Sequence, residues 1–275
     1  MARYHLRAVD SPGEVLTEAA ELLVSDPVRH NLVLTLLHAR ASHPQPGRYW
    51  LVSEGHRPTG VVFQSPLEFF ATLTPMAAEA VAAAVDGIVD AGANLPGVSG
   101  EVSSAARFSG RWAERTGDPV RPDLAQRLYE LGPRLTPGTT TGRLRDATPA
   151  DRQLLLSWFK GFADETGESA GHLPEIVDLR VAKGLIAIWD DGGPVSMAAR
   201  TAEVAGVVRI GPVYTPPDRR NQGYGMAVVA SVSSELRSQG LRSILYTDLA
   251  NPVSNSIYRR IGYEPVEEII RYRFG

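Results

Sequence analysis

The chain has 275 residues, 43% hydrophobic and 21% charged, with a formal net charge of −3 and no cysteine. That length is long for one core and comfortable for two of roughly 130 residues each. The charge balance excludes a global attraction for nucleic acid or an acidic membrane surface, and the missing cysteines exclude disulfides, thiolate metal sites and a protein thiol nucleophile.

No apolar run approaches the ~20 residues of a membrane helix, and the opening MARYHLRAVDSPGE lacks the apolar segment of a secretory signal, so a cytoplasmic protein is expected. Ser11-Pro12 reads as a cap followed by proline at the first helical position, starting a helix that runs to Asp26. Pro27 breaks it, and HNLVLTLLHAR follows as a second apolar segment. The runs YWLVSEG, TGVVFQS and EFFATLT read as strands in antiparallel hairpins. After Pro75 comes an alanine-rich helix ending at Gly92, then a short strand in LPGVSGEV, a short helix in FSGRWAERTG and a strand in LAQRLYEL.

Gly132 to Gly142, with Pro133 and Pro137, is the best linker in the chain. A domain boundary is expected there, dividing the chain into 1–136 and 137–275. The second half then repeats the plan of the first. RLRD is a strand, and Thr148-Pro149 starts a helix with Leu154, Leu155, Trp158 and Phe162 at helical spacing. Two strands joined by an Asp191-Gly192-Gly193 turn follow, then the strand VVRIGPVYT, a helix carrying Met226, Val229, Val232 and Leu236 on one face, and the strand SILYTD. Leu6 pairs with Leu144, Pro75 with Pro216 and Gly117 with Gly262, at slowly growing offsets, which is the mark of an internal duplication.

The halves differ at one place. After Pro216-Pro217 the second half carries Arg220-Asn221-Gln222-Gly223-Tyr224-Gly225 at the start of a helix, where the first half has Met76-Ala77-Ala78-Glu79. A strand, a glycine loop and a helix place main-chain N–H groups where they can bind phosphate oxygens, and the dipole adds roughly 0.3–1 kcal/mol for a charge at such an end. Gly211-Pro212 interrupts an otherwise apolar strand and marks a bulge or a parting of neighbouring strands. Asn251-Pro252 is a second helix start, with Val253, Ile257 and Ile261 facing the core and Tyr258 on the flank beside Ser254 and Asn255.

Together these residues resemble the GNAT superfamily of N-acetyltransferases. Arg220 to Gly225 matches that family's Gln/Arg-x-x-Gly-x-Gly/Ala signature, and Asn251 to Tyr263 resembles its Asn-x-x-Ala-x-x-x-Tyr-x-x-x-Gly-Phe signature. The likeness covers the second half well and the first by element order alone. It implies an α/β (α+β) tandem fold: two GNAT-like lobes, each a mixed, mainly antiparallel twisted sheet flanked by helices, with the first degenerate. It further implies acetyl-CoA as cosubstrate, with Val213, Tyr214 and Thr215 along the pantetheine arm. The amides of Arg220, Asn221, Gln222, Gly223, Tyr224 and Gly225 would hold the pyrophosphate, Asn251 and Asn255 would lie at the cofactor, and Tyr258 would protonate the leaving thiolate. The acceptor implied is an amine of a small molecule or a protein, with no nucleic acid or membrane partner; the first lobe would shape the acceptor pocket or carry a homodimer contact.

An alkyl ammonium of pKa near 10.4 costs about 4.6 kcal/mol to deprotonate at pH 7, whereas an α-amino group near 7.7 costs about 1 kcal/mol, so the acceptor decides how much a base is needed. Asp248, at the end of a strand, is one candidate base; Glu165, Glu168 and His172 are others, and each has an alternative reading as a cap or a solvated surface group. Tyr214 and Tyr224 read as packing residues near the cofactor. The histidines show no metal-ligand spacing, and Trp50, Trp112, Trp158 and Trp189 read as core. Two rivals are a coenzyme A-binding module that senses without catalysis and a dinucleotide-binding fold, the latter disfavoured because the strand before the glycines follows a hairpin.

Overall fold

The computed structural model describes residues 3–167 and 173–275. In chain order the elements are β1 (Tyr4–Val9), α1 (Pro12–Glu18), α2 (Ala20–Ser25), α3 (Asn31–Ser42), β2 (Arg48–Glu54), β3 (Arg57–Gln64), β4 (Ala71–Leu73), α4 (Ala78–Asp90), β5 (Gly97–Glu101), α5 (Val102–Thr116) and β6 (Val120–Leu131). The second half continues with β7 (Arg143–Asp146), α6 (Arg152–Thr166), α7 (Leu173–Ala182), β8 (Ile186–Asp190), β9 (Pro194–Arg200), β10 (Val207–Tyr214), α8 (Tyr224–Ser238), β11 (Arg242–Asp248), α9 (Pro252–Ile261) and β12 (Tyr263–Phe274).

The chain folds as two compact units. The first takes in the chain to Leu128 with Thr247–Ala250 and Val266–Gly275; the second comprises Tyr129–Tyr246 and Asn251–Pro265. These units differ from a single division between residues 136 and 137, because the end of the chain returns to the first unit. There β12 runs antiparallel to β5, with Ile270 opposite Gly100.

In the first unit the strands lie in the order β1-β2-β3-β4-β5-β12, and among these pairs β4–β5 alone is parallel. In the second the order β7-β8-β9-β10-β11 repeats it, with β10–β11 parallel and the others antiparallel. The equivalences read from the sequence hold in space: Leu6 and Leu144 lie on β1 and β7, and Gly117 and Gly262 are the left-handed C-caps of α5 and α9.

Strand alternation sorts the second unit's core onto two faces of its sheet. Val208 and Ile210 of β10 pack with Val229, Val232 and Leu236 of α8. Ile188, Met197 and Tyr214 pack with Leu155, Trp158 and Phe159 of α6. In the first unit Trp112 stacks between Phe108 and Phe274, with ring centroids 6.2 and 5.1 Å away. Trp50, Trp112, Trp158 and Trp189 are all buried, as expected of core residues.

Some expected elements change. The first helix is two, broken at Ala19. The helix expected from Phe108 starts instead at Val102, because the Glu101 carboxylate accepts the N–H groups of Ser103 and Ser104 at 2.7 and 3.0 Å and caps it. Val253 is 65% exposed and not on the core face of α9, which Ile257 and Ile261 supply.

Candidate functional site

Beyond β10 the chain makes a short 3-10 turn at Pro217–Arg219 and enters α8 through two left-handed residues, Asn221 at φ 62° and Gly223 at φ 83°. Asparagine tolerates that conformation and glycine adopts it freely. The reversal lifts the chain off the sheet so that Arg220 through Gly223 are exposed. Among the described residues no main-chain N–H from Asn221 to Met226 has a protein acceptor, and Gly223 caps α8 with no side-chain bond. A run of unsatisfied donors at the positive end of a 15-residue helix is a site for an anion with several oxygens.

The side chains around this run hold it in place. Arg220 pairs with both oxygens of Glu165 at 2.6 and 2.8 Å, donates from Nε to the Thr215 carbonyl at 3.0 Å, and lies 5.8 Å from the centre of the Tyr214 ring. It thereby ties the loop to β10 and α6, and Glu165 is the counter-ion of this tie. The Tyr224 hydroxyl donates to Asp191 at 2.7 Å, and Asp191 also accepts from Thr141 at 2.8 Å. Thr215 shares a hydrogen bond of 2.9 Å with buried Ser196, and a Cβ at Gly225 would sit 3.4 Å from the Thr215 hydroxyl. Tyr214 is buried against Trp158, so Tyr214 and Tyr224 both pack as expected. Glu168 and His172 lie outside the described residues.

The parting implied by Pro212 is present. β10 pairs with β11 only from Val207 to Arg209, against Arg242 to Ile244. Its pairing with β9 slips between Ile210 and Val213, where Gly211-Pro212 forms a bulge. Among the described residues the β11-facing edge of β10 from Ile210 to Tyr214 therefore has no partner strand, and Val213 and Tyr214 lie on it.

On α9 the Asn251 side chain accepts the Ser254 N–H at 3.0 Å, which is the expected cap. The Asn255 amide donates to the Asn251 carbonyl at 2.7 Å and accepts from the Tyr129 hydroxyl at 3.2 Å, so both its ends are engaged inside the protein. Fully buried Tyr129 also accepts from Arg259 at 3.2 Å; the sequence reading passed over this residue because its partners lie 126 and 130 positions away. At Gly262, φ 115°, any Cβ would collide with the Arg134 carbonyl oxygen, which explains the glycine that ends the motif.

Tyr258 packs edge-on to Tyr263, with centroids 6.1 Å apart and planes at 70°, while remaining partly exposed. Among the described residues its hydroxyl has no hydrogen-bond partner. Burial pushes this phenol above its ordinary value, so it is protonated throughout the physiological range. Asp248 ends β11 in an exposed position and accepts the Ala250 N–H at 2.8 Å, the turn-capping role that was the alternative to a catalytic one. A cavity of about 400 Å³ opens beside Arg237 and Leu241, at the far end of α8 and roughly 20 Å along the helix from the glycine loop, too distant to belong to this site.

Residues 189–272 match the family model described as FR47-like protein. No curated protein matches the chain. Among solved structures, it is similar to an acetyltransferase of the GNAT family from Colwellia psychrerythraea (11% identity, TM-score 0.66, covering 98% of this chain and 99% of that one). It is also similar to a GCN5-related N-acetyltransferase from Sphaerobacter thermophilus (15%, 0.63, 99% and 96%). A tandem GNAT protein from the clavulanic acid biosynthesis pathway matches over 98% of both chains at 11% identity and TM-score 0.57. The resemblance carried by the two motifs is thus borne out: the chain has the fold of the GNAT acetyltransferases, and residues 189–272 match the FR47-like protein family.

Proposed function

We propose that the chain is an N-acyltransferase that moves an acyl group, acetyl in the first instance, from an acyl-CoA directly to an amine, using its second unit. The observation that carries this reading is the run of N–H groups from Asn221 to Met226 without acceptors among the described residues, at the start of α8 and next to a strand edge that those residues leave unpaired. Coenzyme A has a diphosphate for the first and an amide-bearing arm for the second, and as a thioester it supplies the activated acyl group.

The residues divide the work. Asn221 to Met226 hold anionic oxygens, Gly223 and Gly225 leave them room, and Arg220 keeps the loop in place through Glu165. The Val213 to Thr215 edge offers main-chain groups to an extended arm. Tyr258 points a protonated hydroxyl at whatever leaves. Because its pKa lies above 10 and a thiol's near 8.5, it stabilises a developing thiolate by donating a hydrogen bond more than by giving up its proton outright.

In the first unit β4 is only three residues long and passes through Thr74 to Ala77 directly into α4. The Met76 side chain fills the space over Gly60, where a Cβ would collide with it, so no equivalent loop exists there. We assign that unit a supporting role in acceptor binding or self-association. The test is incubation with acetyl-CoA and a panel of amines, following thiol release. Release above the amine-free control supports transfer; tight coenzyme A binding with no release for any amine supports a sensor in its place.

A further inference from the structure

Arg180 on α7 and Arg209 on β10, both in the second unit, each bury an Nη1 atom that has no hydrogen-bond partner among the described residues. Neither forms an ion pair with a described carboxylate, whereas Arg200 on neighbouring β9 donates to the Gly184 carbonyl at 2.8 Å. Arg209 alternates with Val208 and Ile210, which pack toward α8, so it projects to the face covered by α6 and α7. Arg180 lies on that face, 5.5 Å over the Phe159 ring. After burial itself, the charge of Arg209 is what depresses the Arg180 pKa, while Arg209 is depressed by its own burial and raised in part by Tyr246.

A buried guanidinium nitrogen with no acceptor among the described residues and no carboxylate beside it is costly to keep, and a nearby like charge adds to the cost. An anion between them would relieve both, and a planar carboxylate suits the fork of a guanidinium. Arg209 is also the last residue of β10 paired with β11, so it marks the closed end of the parting, with Val213 roughly 10–13 Å further along the strand. That span fits a small molecule.

We propose that Arg180 and Arg209 together bind a carboxylate of the acyl acceptor, which makes the substrate an amine that also carries a carboxylate, as an amino acid does. The word acceptor rests on the acyltransfer reading; the anion site does not. The test is thermal melting of the full chain with succinate, with its neutral counterpart succinamide, with inorganic phosphate and with coenzyme A, for the wild type, Arg180→Met and Arg209→Met. The expected result is a saturable rise of the wild-type melting temperature with succinate but not succinamide, lost in each variant while the response to coenzyme A remains. Without ligand the variants melt no lower than the wild type. No wild-type response to succinate, an equal response in the variants, an equal effect of succinamide, or a response to phosphate alone would each overturn the proposal. A preserved succinate response with no thiol release for any amine would count against acyl transfer and leave the carboxylate site standing.

Discussion

In the proposed reaction, Tyr258 is the group that meets the leaving thiolate. Its ring packs against Tyr263, and no group among the described residues competes for its proton. Replacing it with phenylalanine removes one donor and keeps the packing. Turnover of Tyr258→Phe should fall about 10²- to 10⁴-fold, the scale of one positioned proton donor, while acetyl-CoA affinity stays within about twofold. Steady-state kinetics with a verified acceptor, set beside equilibrium binding, checks the split; unchanged turnover removes Tyr258 from the mechanism. Arg220 illustrates the opposite case. The motif resemblance places its main-chain amide at the anion, and its guanidinium is taken up by Glu165, 55 positions earlier, so in the proposed site the side chain ties the loop to α6.

Among the elements, α8 and α9 were legible because their signals are local: glycines before one, Asn-Pro before the other, apolar residues at helical spacing. The Asn251 cap is worth about 1 kcal/mol, and Asn251→Ala should destabilise the protein by that order while loosening the start of α9. Denaturant unfolding measures the first and hydrogen exchange at Ser254 the second. The elements that escaped have no such signal. α7 leaves Ile176 and Leu179 exposed, which blurs its apolar face. β12 mixes charged and apolar residues, and its pairing with β5 joins Ile269 to Glu101, a register no local pattern announces. The two arginines with a buried Nη1 that no described residue accepts divide the same way: Arg209 is visible as the one charge in VVRIGPVY, whereas Arg180 looks like an ordinary helical surface residue until the fold places it where the Arg209 charge acts on it.

For the whole molecule, the order of strands is repeated: both units have the parallel pair after three antiparallel pairs, but only the second has a long loop between strand and helix. The first unit carries its own titration. Glu267, 8% exposed and 3.6 Å from Arg29, is pushed by burial up to about 7. A carboxyl raised in the fold stabilises while protonated, so its contribution is full below the unfolded value of 4.5 and is lost as pH rises through 7. Between pH 5 and 8 stability should drop by on the order of 2 kcal/mol, and Glu267→Gln should flatten that part of the profile and be the more stable protein at pH 8. Urea unfolding across that range decides it.

The central claim is that the amides entering α8 grip the diphosphate of coenzyme A. An amide-resolved NMR titration with coenzyme A tests it most directly. Saturable shifts of the Asn221 to Met226 amides, with those of Ala77 to Ala80 unmoved, are the predicted result; saturation that leaves Asn221 to Met226 in place, or moves the start of α4 instead, would contradict it.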